Sequence, residues 1–415
     1  MPRPLEDLRI LDLTWVLSGP FCSMLLCDLG ADVIKVERPP FGDIARTTGP
    51  YQNGWSGYFF SINRGKRSVA IDLRTSEGRD LFLSLVEHAD VVVENFTPGT
   101  LDRLGIGYDV LAARNPAVIL ASISGFGQTG PYRDRPALDI IVQGMGGILS
   151  ITGEPGGNPV RPGASFGDII AGLYTAIAVL AAVHERKASG RGQAIDISML
   201  DCQVAALENA VMRYGVTGKA PGPIGTRHPS STPFQAFPTA DGHLVVALGF
   251  GEENPWAVFC GILGLPELVD DERFATSPRR TARHAELEPV LAAAFRARTT
   301  AEWLEDLLAA GIPCGPVNGI AEVVRDPQVR HREMVREVAH ATAGTIAISN
   351  SPFRFSRSEA GIRGAPPDMG QDTANVLESL LGLTPGAIAA LVEGGVVATS
   401  GGPDIDAILG PPDRS

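Results

Sequence analysis

Asp168 is the residue of this chain whose surroundings most favour chemistry. Gly167 before it indicates a sharp turn of the backbone, and Asp168 is then predicted to be the first residue of a helix that includes the apolar run Ile169–Val183. Such a helix is too apolar to be exposed, so the carboxylate is expected near buried surface. Free amide groups at a helix start keep a carboxylate ionised, as a nucleophile requires, yet most aspartates there are N-caps. The local sequence leaves both roles open.

Basic side chains form a second group that could bind a ligand. They lie in the N-terminal part of the chain, several of them just after predicted strands, at Arg38, Arg64, Lys66, Arg67, Arg74 and Arg103. Ligands of α/β proteins bind at the carboxyl ends of the strands, and arginine makes planar, two-point contacts with phosphate. A phosphate-bearing ligand therefore fits these residues, with an ordinary solvated surface as the alternative.

The sequence does not support the other common cofactor, metal or catalytic motifs. Gly125-x-Gly127-x-x-Gly130 has the letters of the dinucleotide fingerprint and follows a predicted strand, but Pro131–Asp134 continues as a polar loop where that fold needs a helix. We therefore expect no nicotinamide or flavin cofactor. The histidines lack the spacing of a metal-binding pair, so no metal site is expected, and neither a serine hydrolase of the nucleophile-elbow type nor a P-loop enzyme is predicted.

The composition excludes several classes of protein. Apolar residues make up 44% of the 415-residue chain and charged residues 20%, which is typical of a globular protein. The net charge of −12 argues against a nucleic-acid-binding surface. Five cysteines without CxxC spacing support neither a disulfide framework nor a zinc site, so a reducing, cytoplasmic location is expected. The longest apolar run is shorter than the roughly 20 residues of a membrane helix, and no membrane association is expected.

Strand and helix patterns alternate over the first 130 residues, and after a turn-rich stretch a buried helix, one more strand and a helix follow. The predicted strands are Leu8–Leu13, Asp32–Glu37, Val69–Leu73, Val91–Phe96, Val118–Ser124 and Gln193–Ser198. The predicted helices between and after them begin at Pro20, near residues 75 and 109, at Asp168 and near residue 200. This rhythm predicts an α/β fold with a doubly wound, mostly parallel, Rossmann-like sheet.

The pattern changes after residue 214. Residues 1–214 are predicted to form most of a large α/β domain, and residues 215–231, rich in glycine and proline, a linker. A hairpin pattern followed by helices predicts a smaller α+β domain over 232–329. The last residues, 399–415, are poor in apolar side chains and predicted to be a flexible tail.

A series of short segments is similar to one enzyme family. In chain order they are Ile10–Thr14, Ser18–Pro20, Leu29–Pro39, Asn63–Lys66, Glu94–Phe96, Pro98–Gly105, Gly125–Pro131, Gly167-Asp168 and Gly190–Gln193. Together they resemble the class III CoA-transferases, the CaiB/BaiF family, which includes formyl-CoA and carnitine CoA-transferases and is related to the α-methylacyl-CoA racemases. Further segments resemble the succinyl-CoA-dependent dicarboxylate transferases of the succinate–hydroxymethylglutarate type, namely Gly225-Thr226, His228, Pro233–Phe237, Gly315–Asn318 and Gly370–Thr373.

The resemblance implies an activity and the residues for it. Asp168 falls on the family's nucleophilic aspartate, and Asp139 on an acidic position that supports the site. The implied CoA-binding residues are Val16, Leu17, Ser18, Arg38, Ile71, Arg74, Asn95, Phe96 and Arg103. We therefore expect transfer of CoA from succinyl-CoA to a small carboxylic acid through aspartyl anhydride and aspartyl-CoA thioester intermediates. A CoA thioester is then a substrate, and no permanently bound cofactor is expected.

The resemblance also implies an assembly. An interlocked homodimer is expected, with residues 330–398 returning to the large domain of their own chain. The expected partners are therefore the acyl-CoA, the small acid and a second copy of the chain, without nucleic acid or membrane.

An α-methylacyl-CoA racemase and a noncatalytic CoA-binding protein are the alternatives. Racemases of this family carry a histidine just before the aspartate that matches Asp139, and this chain has Leu138 there. Leucine cannot deliver a proton to the α-carbon, which disfavours racemisation. The glycine-rich lid of formyl-CoA transferase is also not evident around Ala247–Glu253.

Overall fold

The computed structural model describes residues 1–248 and 255–403. The strands are β1 (Arg9–Asp12), β2 (Asp32–Glu37), β3 (Tyr51–Gln52), β4 (Trp55–Ser56), β5 (Arg67–Ile71), β6 (Val91–Glu94), β7 (Ile119–Ser124), β8 (Ala194–Ser198), β9 (Phe234–Pro238), β10 (His243–Ala247), β11 (Cys314–Pro316), β12 (Val335–His340), β13 (Gly344–Ser349) and β14 (Val397–Ala398).

The helices complete the element order. They are α1 (Ser18–Asp28), α2 (Gly57–Ile62), α3 (Ser76–Val86), α4 (Thr100–Arg103), α5 (Tyr108–Arg114), α6 (Asp139–Met145), α7 (Ile148–Ile151), α8 (Phe166–Ser189), α9 (Met199–Ala206), α10 (Glu208–Thr217), α11 (Pro255–Leu263), α12 (Ser277–Ala282), α13 (His284–Phe295), α14 (Thr300–Ala309), α15 (Ile320–Arg325), α16 (Pro327–His331), α17 (Thr373–Leu381) and α18 (Pro385–Glu393). Two short 3-10 helices, Ile44–Thr47 and Pro266–Leu268, lie among them.

The largest sheet has seven strands in the order β14-β5-β2-β1-β6-β7-β8, and several of the predicted site residues follow its strands. All its strand pairs are parallel except β14 with β5, so the predicted α/β fold with a mostly parallel sheet is confirmed. From β1 the chain adds β2 and β5 on one side, then returns to add β6, β7 and β8 on the other. The winding therefore reverses between β1 and β6, where sheets of this kind open a ligand-binding crevice.

The two faces of this sheet bury two separate cores. In β1, Ile10 packs with the cluster that includes Leu26 of α1 and Val179 of α8. The next residue, Leu11, faces the opposite cluster, with Phe82 of α3. Because successive side chains of a strand point to opposite faces, helices on both sides enclose the sheet. This arrangement holds the strand ends rigidly and leaves their loops free to form a site.

Helix α8 departs from its prediction. It spans Phe166–Ser189, and by length and composition it is the one helix of the described residues that could cross a membrane, although 44% of its most apolar window is buried. One face packs on α1, whereas Leu173, Tyr174 and Ile177 on the other are exposed, Ile177 by 61%. The expectation of a buried core helix therefore holds for one face of α8 only, because the other face is uncovered in the single chain.

Several element boundaries also differ from expectation. The helix predicted to open at Pro20 begins at Ser18, and the helix predicted near 200–214 is two helices, α9 and α10. Strands β3, β4, β11, β12 and β14 were not predicted. Very short strands such as β14 owe their pairing to distant chain and carry little local signal.

The described chain divides into two compact units. The first contains residues 1–148, 161–220 and 330–403, and the second contains residues 149–160, 221–248 and 255–329. The second unit has an antiparallel sheet, β11-β10-β9, and a core of its own that includes Phe237, Phe295 and Trp303. Residues 149–160, which the sequence assigned to the 1–214 domain, belong to this second unit. Residues 404–415 of the predicted tail lie outside the described residues.

Candidate active site

The reversal between β1 and β6 brings two loops together, 13–17 after β1 and 95–98 after β6. Asn95 joins them: its Oδ1 accepts the N–H of Trp15 at 2.9 Å, and its Nδ2 donates to the carbonyl of Trp15 at 2.9 Å and to Ser18 Oγ at 3.2 Å. This side chain thus fixes the spacing of the two loops. The crevice holds the predicted CoA-binding residues Val16, Leu17, Ser18, Asn95 and Phe96.

Val16 has a backbone φ of 64°, in the left-handed region that β-branched residues rarely occupy. Two buried groups hold the loop in this shape: Asp43 Oδ1 accepts the N–H of Val16 at 3.0 Å, and Lys35 Nζ donates to the Thr14 carbonyl at 2.7 Å. Lys35 and Asp43 are themselves ion-paired at 2.9 Å. A conformation of this kind persists only where its surroundings over-determine it, commonly at functional sites.

Paired charges lie buried at the carboxyl ends of β1 and β2. Lys66 Nζ is 2.9 Å from Asp12 Oδ2, and Arg46 contacts both oxygens of Glu37, at 2.8 and 2.7 Å. Burial alone would raise the pKa of these two carboxyls, but Lys66 and Lys35 beside Asp12, and Arg46 beside Glu37, lower each pKa to about 2. We call Asp12, Lys35, Glu37, Arg46 and Lys66 the buried charge cluster. Its two carboxylates are ionised at neutral pH, and its ion pairs hold the strand ends under the crevice.

Three of the basic residues that were suggested to bind a phosphate group are instead paired with carboxylates of this chain. Arg64 is buried against Asp28 at 2.7 Å, Arg67 pairs with Asp32 at 2.6 Å, and Lys66 belongs to the buried charge cluster. That part of the prediction is wrong, because partners distant in the sequence neutralise these side chains. Arg38 and Arg103 have no ion-pair partner within residues 1–248 and 255–403.

A cavity of about 370 Å³ opens beside Arg38, and we call it the Arg38 cavity. Arg74 lies at its rim and is held by Asp72 at 2.6 Å. Its walls are largely apolar, formed by Leu13, Trp15, Val36, Ile71, Leu73, Phe96 and Leu104. Apolar walls next to guanidinium groups suit a flat heterocycle that carries phosphate.

A second cavity, of about 200 Å³, contains Asp168, and we call it the Asp168 cavity. Its lining includes Val16, Leu17, Ser18, Asn95, Phe96, Arg133, Arg135, Leu138, Asp139 and Asp168. Trp15 and Phe96 line both cavities, with their ring centres 6.3 Å apart. An extended ligand can therefore pass from one cavity to the other across these two rings.

Asp168 is the third residue of α8, and Ser165 is the N-cap, so both the predicted first position and the N-cap alternative are wrong. Gly167 makes no sharp turn but lies inside the helix. A β-carbon there would be 2.8 Å from Val142 Cγ2 and 2.9 Å from Asp139 Oδ1, so glycine permits close packing. No hydrogen bond or ion pair from the described residues engages the Asp168 carboxylate.

Asp139 holds the first turn of α8 in place. Its Oδ1 accepts the N–H of Gly167 at 2.9 Å, and its Oδ2 accepts from Gln143 Nε2 at 2.7 Å and Arg161 Nη2 at 2.8 Å. Arg161 also donates to Ser165 Oγ at 2.9 Å. Asp139 therefore fixes the helix turn that contains Asp168, and its carboxylate has an ion-pair partner where that of Asp168 has none among the described residues.

The environment of Asp168 makes its carboxylate basic. Burial, and next the negative charge of Asp139, raise the pKa of Asp168 to about 7, against a smaller opposite effect of Arg161. Near neutral pH a large share of Asp168 is ionised, and its lone pairs are more basic than those of an ordinary carboxylate. A basic, unpaired carboxylate in a cavity is suited to attack an acyl carbon.

Ser165 lies at the centre of a nucleophile-elbow pattern. The segment Gly163-x-Ser165-x-Gly167 has the letters of that pattern, although no serine hydrolase of this type was predicted. An elbow requires a strand leading directly into the turn, but no strand lies between β7 and α8. Ser165 instead occupies the N-cap position without a capping hydrogen bond from its side chain, and its Oγ accepts a hydrogen bond from Arg161. The pattern is therefore a coincidence of letters.

The structure gathers most of the predicted site residues and separates one. Val16, Leu17, Ser18, Asn95, Phe96, Asp139 and Asp168 line the Asp168 cavity, and Arg38, Ile71, Arg74 and Phe96 line the Arg38 cavity. Arg103 lines neither cavity and lies over Gly99. Sequence reasoning missed Trp15, Arg133, Arg135 and Arg161, although two arginines so close before Asp139 are a readable signal. The stretch 247–253, where the sequence showed no glycine-rich lid, lies largely outside the described residues.

The chain is similar to known proteins in sequence and in structure. The sequence profile of CoA-transferase family III matches residues 5–373. Succinyl-CoA:glutarate CoA-transferase of Mus musculus is 41% identical over 396 residues, covering 95% of this chain and 90% of that one. Succinyl-CoA:mesaconate CoA-transferase of Haloarcula hispanica is 40% identical, covering 90% and 96%. The crystal structure of a CAIB/BAIF family protein from Brucella suis superposes with a TM-score of 0.83 at 40% identity, covering 92% of this chain and 100% of that one.

Proposed function

Because the chain belongs to CoA-transferase family III and is a CoA-transferase, we propose that it moves CoA from succinyl-CoA to a small dicarboxylic acid, with Asp168 as covalent nucleophile. The observation that carries this proposal is the Asp168 carboxylate itself, unpaired and basic in a cavity that adjoins a second cavity with arginines at its rim. The acids named for the two relatives, glutarate and mesaconate, support the acceptor class.

The first half of the reaction removes CoA from the donor. Asp168 Oδ attacks the thioester carbonyl carbon, the C–S bond breaks, and CoA leaves as the thiolate while an aspartyl–succinyl anhydride remains. The thiolate then attacks the aspartyl carbonyl carbon and expels succinate, which leaves an aspartyl-CoA thioester. Anhydride and thioester are similarly activated, so each step is close to balanced and reversible.

The second half runs the same steps in reverse with the acceptor. One acceptor carboxylate attacks the aspartyl-CoA thioester and expels CoA thiolate, which forms a new anhydride. The thiolate attacks the acceptor's acyl carbon, and the acyl–oxygen bond breaks, which yields the acceptor CoA thioester and free Asp168. Water must be excluded throughout, because hydrolysis of either intermediate would waste the activated acyl group.

The two cavities divide the substrate between them in this proposal. The apolar walls of the Arg38 cavity would take the adenine, with Arg38, Arg74 and the nearby Arg103 for phosphates. The pantetheine arm would pass Trp15 and Phe96 to bring its sulfur to Asp168. Racemisation receives no support, since the residue before Asp139 is the exposed Leu138 and carries no proton.

We also propose the homodimer that the family resemblance implies. In the first unit α6, α8 and α9 pack on one another and expose an apolar surface formed by Ile140, Ile141, Met145, Leu173, Ile177 and Val204. Monomers rarely leave such a patch uncovered, and a second copy of the chain would cover it. Ile177→Glu is expected to convert a dimer to a monomer in light scattering coupled to size exclusion; an unchanged mass would contradict this interface.

Trapping the covalent intermediate tests the proposed function. The protein is incubated with succinyl-CoA alone, digested, and the peptide carrying Asp168 is analysed by mass spectrometry for a CoA adduct. Transfer to glutarate, mesaconate and a panel of other acids is followed in parallel by chromatography of the CoA esters. We expect the adduct on Asp168 and transfer to at least one dicarboxylate.

The matched control is Asp168→Asn, which keeps the shape and removes the nucleophile. It should give neither adduct nor transfer while unfolding no earlier than the wild type. An adduct on another residue, or transfer by the asparagine variant at the wild-type rate, would overturn the proposal. Absence of adduct and of transfer with every acid would do the same.

A further inference from the structure

The second carboxylate of a dicarboxylic substrate needs a binding partner in the Asp168 cavity. Only one of the two carboxylates is joined to CoA, and the other stays ionised. It must enter a cavity that is already lined by two acidic side chains, Asp139 and Asp168. Without a cation nearby, repulsion and desolvation would make such a substrate bind worse than a monocarboxylate of equal length. This reasoning rests on the proposed function.

Two cations line the Asp168 cavity, Arg133 and Arg135. Neither has an ion-pair partner in the part of the chain that the structure describes, residues 1–248 and 255–403. Arg161 is the other cation close to the site, but it is held by Asp139 at 2.8 Å and does not line the cavity. The choice for the second carboxylate is therefore between Arg133 and Arg135.

Arg133 is directed toward another cation. A β-carbon on Gly99 would lie 3.3 Å from Arg103 Nη1 and 3.5 Å from Arg133 Nη2, so the two guanidinium groups converge on one point. Arg103 also donates to Thr100 Oγ1 at 2.8 Å, and Thr100 lines the Arg38 cavity. Two converging guanidinium groups suit a multiply charged anion such as a phosphate of CoA. Arg133 therefore belongs with the nucleotide end of the substrate.

Arg135 has a different environment. Its guanidinium carbon lies 3.7 Å from the centre of the Tyr132 ring, and Tyr132 is itself held edge-on by Phe126, with ring centres 5.8 Å apart. Stacking of this kind fixes the plane of the guanidinium group and leaves the N–H groups at its edge free. Such an edge makes two parallel hydrogen bonds to a carboxylate.

We propose that Arg135 binds the carboxylate of the dicarboxylic acyl group that is not joined to CoA, and that it sets the preference for dicarboxylic over monocarboxylic acids. It does so for donor and acceptor alike, because both occupy the same cavity in turn. Tyr132 and Phe126 position it. The residue is specific for charge and leaves the covalent steps at Asp168 unaffected.

The test compares acids that differ only in the second charge. Rates of CoA transfer from succinyl-CoA and from butyryl-CoA to glutarate and to valerate are measured for the wild type, Arg135→Gln and Arg135→Lys. In Arg135→Gln the kcat/KM for glutarate with butyryl-CoA should fall about 10- to 100-fold, while that for valerate stays within about threefold. Arg135→Lys keeps the positive charge but loses the planar guanidinium group that stacks on Tyr132, so its kcat/KM for glutarate should lie between those of the wild type and Arg135→Gln.

Two further variants separate this role from others. Arg114→Gln, which breaks an exposed ion pair with Glu87, serves as the surface control and should behave as the wild type. Arg133→Gln should raise the KM of every CoA ester and have no effect with a succinyl thioester of N-acetylcysteamine, which lacks phosphate. The same truncated donor should still reveal the defect of Arg135→Gln.

Each outcome decides the assignment. If Arg135→Gln lowers glutarate and valerate transfer equally, or loses its defect with the truncated donor, Arg135 is a CoA-binding or structural residue and the assignment is wrong. If valerate is not a substrate of any form, inhibition constants for glutarate and its monoamide replace the rates and should converge in Arg135→Gln. An Asp168 adduct in the wild type together with unchanged discrimination in Arg135→Gln would overturn only this inference and leave the proposed function intact.

Discussion

Two neighbouring regions of the first unit contain carboxylates that are shielded from water, fully in one region and partly in the other, and these behave in opposite ways. In the buried charge cluster Asp12 and Glu37 have cations within 2.9 Å, and their pKa values are lowered to about 2. In the Asp168 cavity the carboxylate has no such partner, and burial with the charge of Asp139 raises its pKa to about 7. Burial acts in the same direction in both regions. The partners therefore decide whether a buried carboxylate stabilises the fold or is free to react.

Removing the unpaired carboxylate should have the largest effect. Asp168→Asn is expected to lower the rate of CoA transfer by at least about 1000-fold, because asparagine cannot form the anhydride. The rate is measured by chromatography of the CoA esters at saturating succinyl-CoA and glutarate. A loss of less than tenfold would place the chemistry on another residue.

Breaking a paired carboxylate should affect stability. Asp12→Asn leaves Lys66 and Lys35 buried with less counter-charge and is expected to cost about 3–5 kcal/mol of unfolding free energy, measured in denaturant by circular dichroism. The double variant Asp12→Leu with Lys66→Met removes both charges of one pair and should recover part of that loss. Equal stability of Asp12→Asn and the wild type would show that the cluster contributes nothing.

Replacing Asp168 by asparagine should raise the free energy of unfolding, whereas the same replacement of Asp12 lowers it. The pKa of Asp168 is about 7 in the folded protein against 3.8 for an ordinary aspartate, so ionisation costs stability as pH rises from about 4 to 7 and no more above that. Asp168→Asn should be more stable than the wild type by about 1–2 kcal/mol at pH 8 and equal to it near pH 4. For Asp12, with its pKa near 2, the stabilisation is present above about pH 4 and disappears as pH falls toward 2.

The smallest predicted effect concerns the charge next to the nucleophile. Asp139→Asn removes one cause of the raised pKa of Asp168 and releases Arg161, so the acid limb of kcat/KM should move from near pH 7 to lower pH, by roughly one unit or less. The maximal rate should also fall, because Asp139 holds the first turn of α8. A lower rate with an unmoved acid limb would restrict Asp139 to a structural role.

Much of the scaffold could be predicted from the sequence, and the pairing of charges could not. Parallel strands end at one edge of a sheet, so the position of Val16 and Asn95 near each other followed from two local patterns. The ion pair of Lys66 could not be predicted in this way, because its partner Asp12 is 54 residues away and their contact depends on the order of the strands in the sheet. The surroundings of Asp168 likewise combine α6, α8 and the β1 loop. Here the family resemblance supplied what local patterns lack.

Strand β5 also constrains how the protein can be made. Its outer edge is closed by the far end of the chain: Asp372 Oδ2 accepts the N–H of Ser68 at 2.9 Å, Thr373 Oγ1 accepts that of Ala70 at 3.0 Å, and β14 pairs alongside. A ribosome synthesises Ser68 304 residues before Asp372, an interval of roughly 15–60 s. Throughout that time the nascent sheet presents an open edge that other chains can join. A premature stop before residue 372 would make this exposure permanent, so such a product is expected to aggregate even though every residue implicated in CoA binding and catalysis has already been translated.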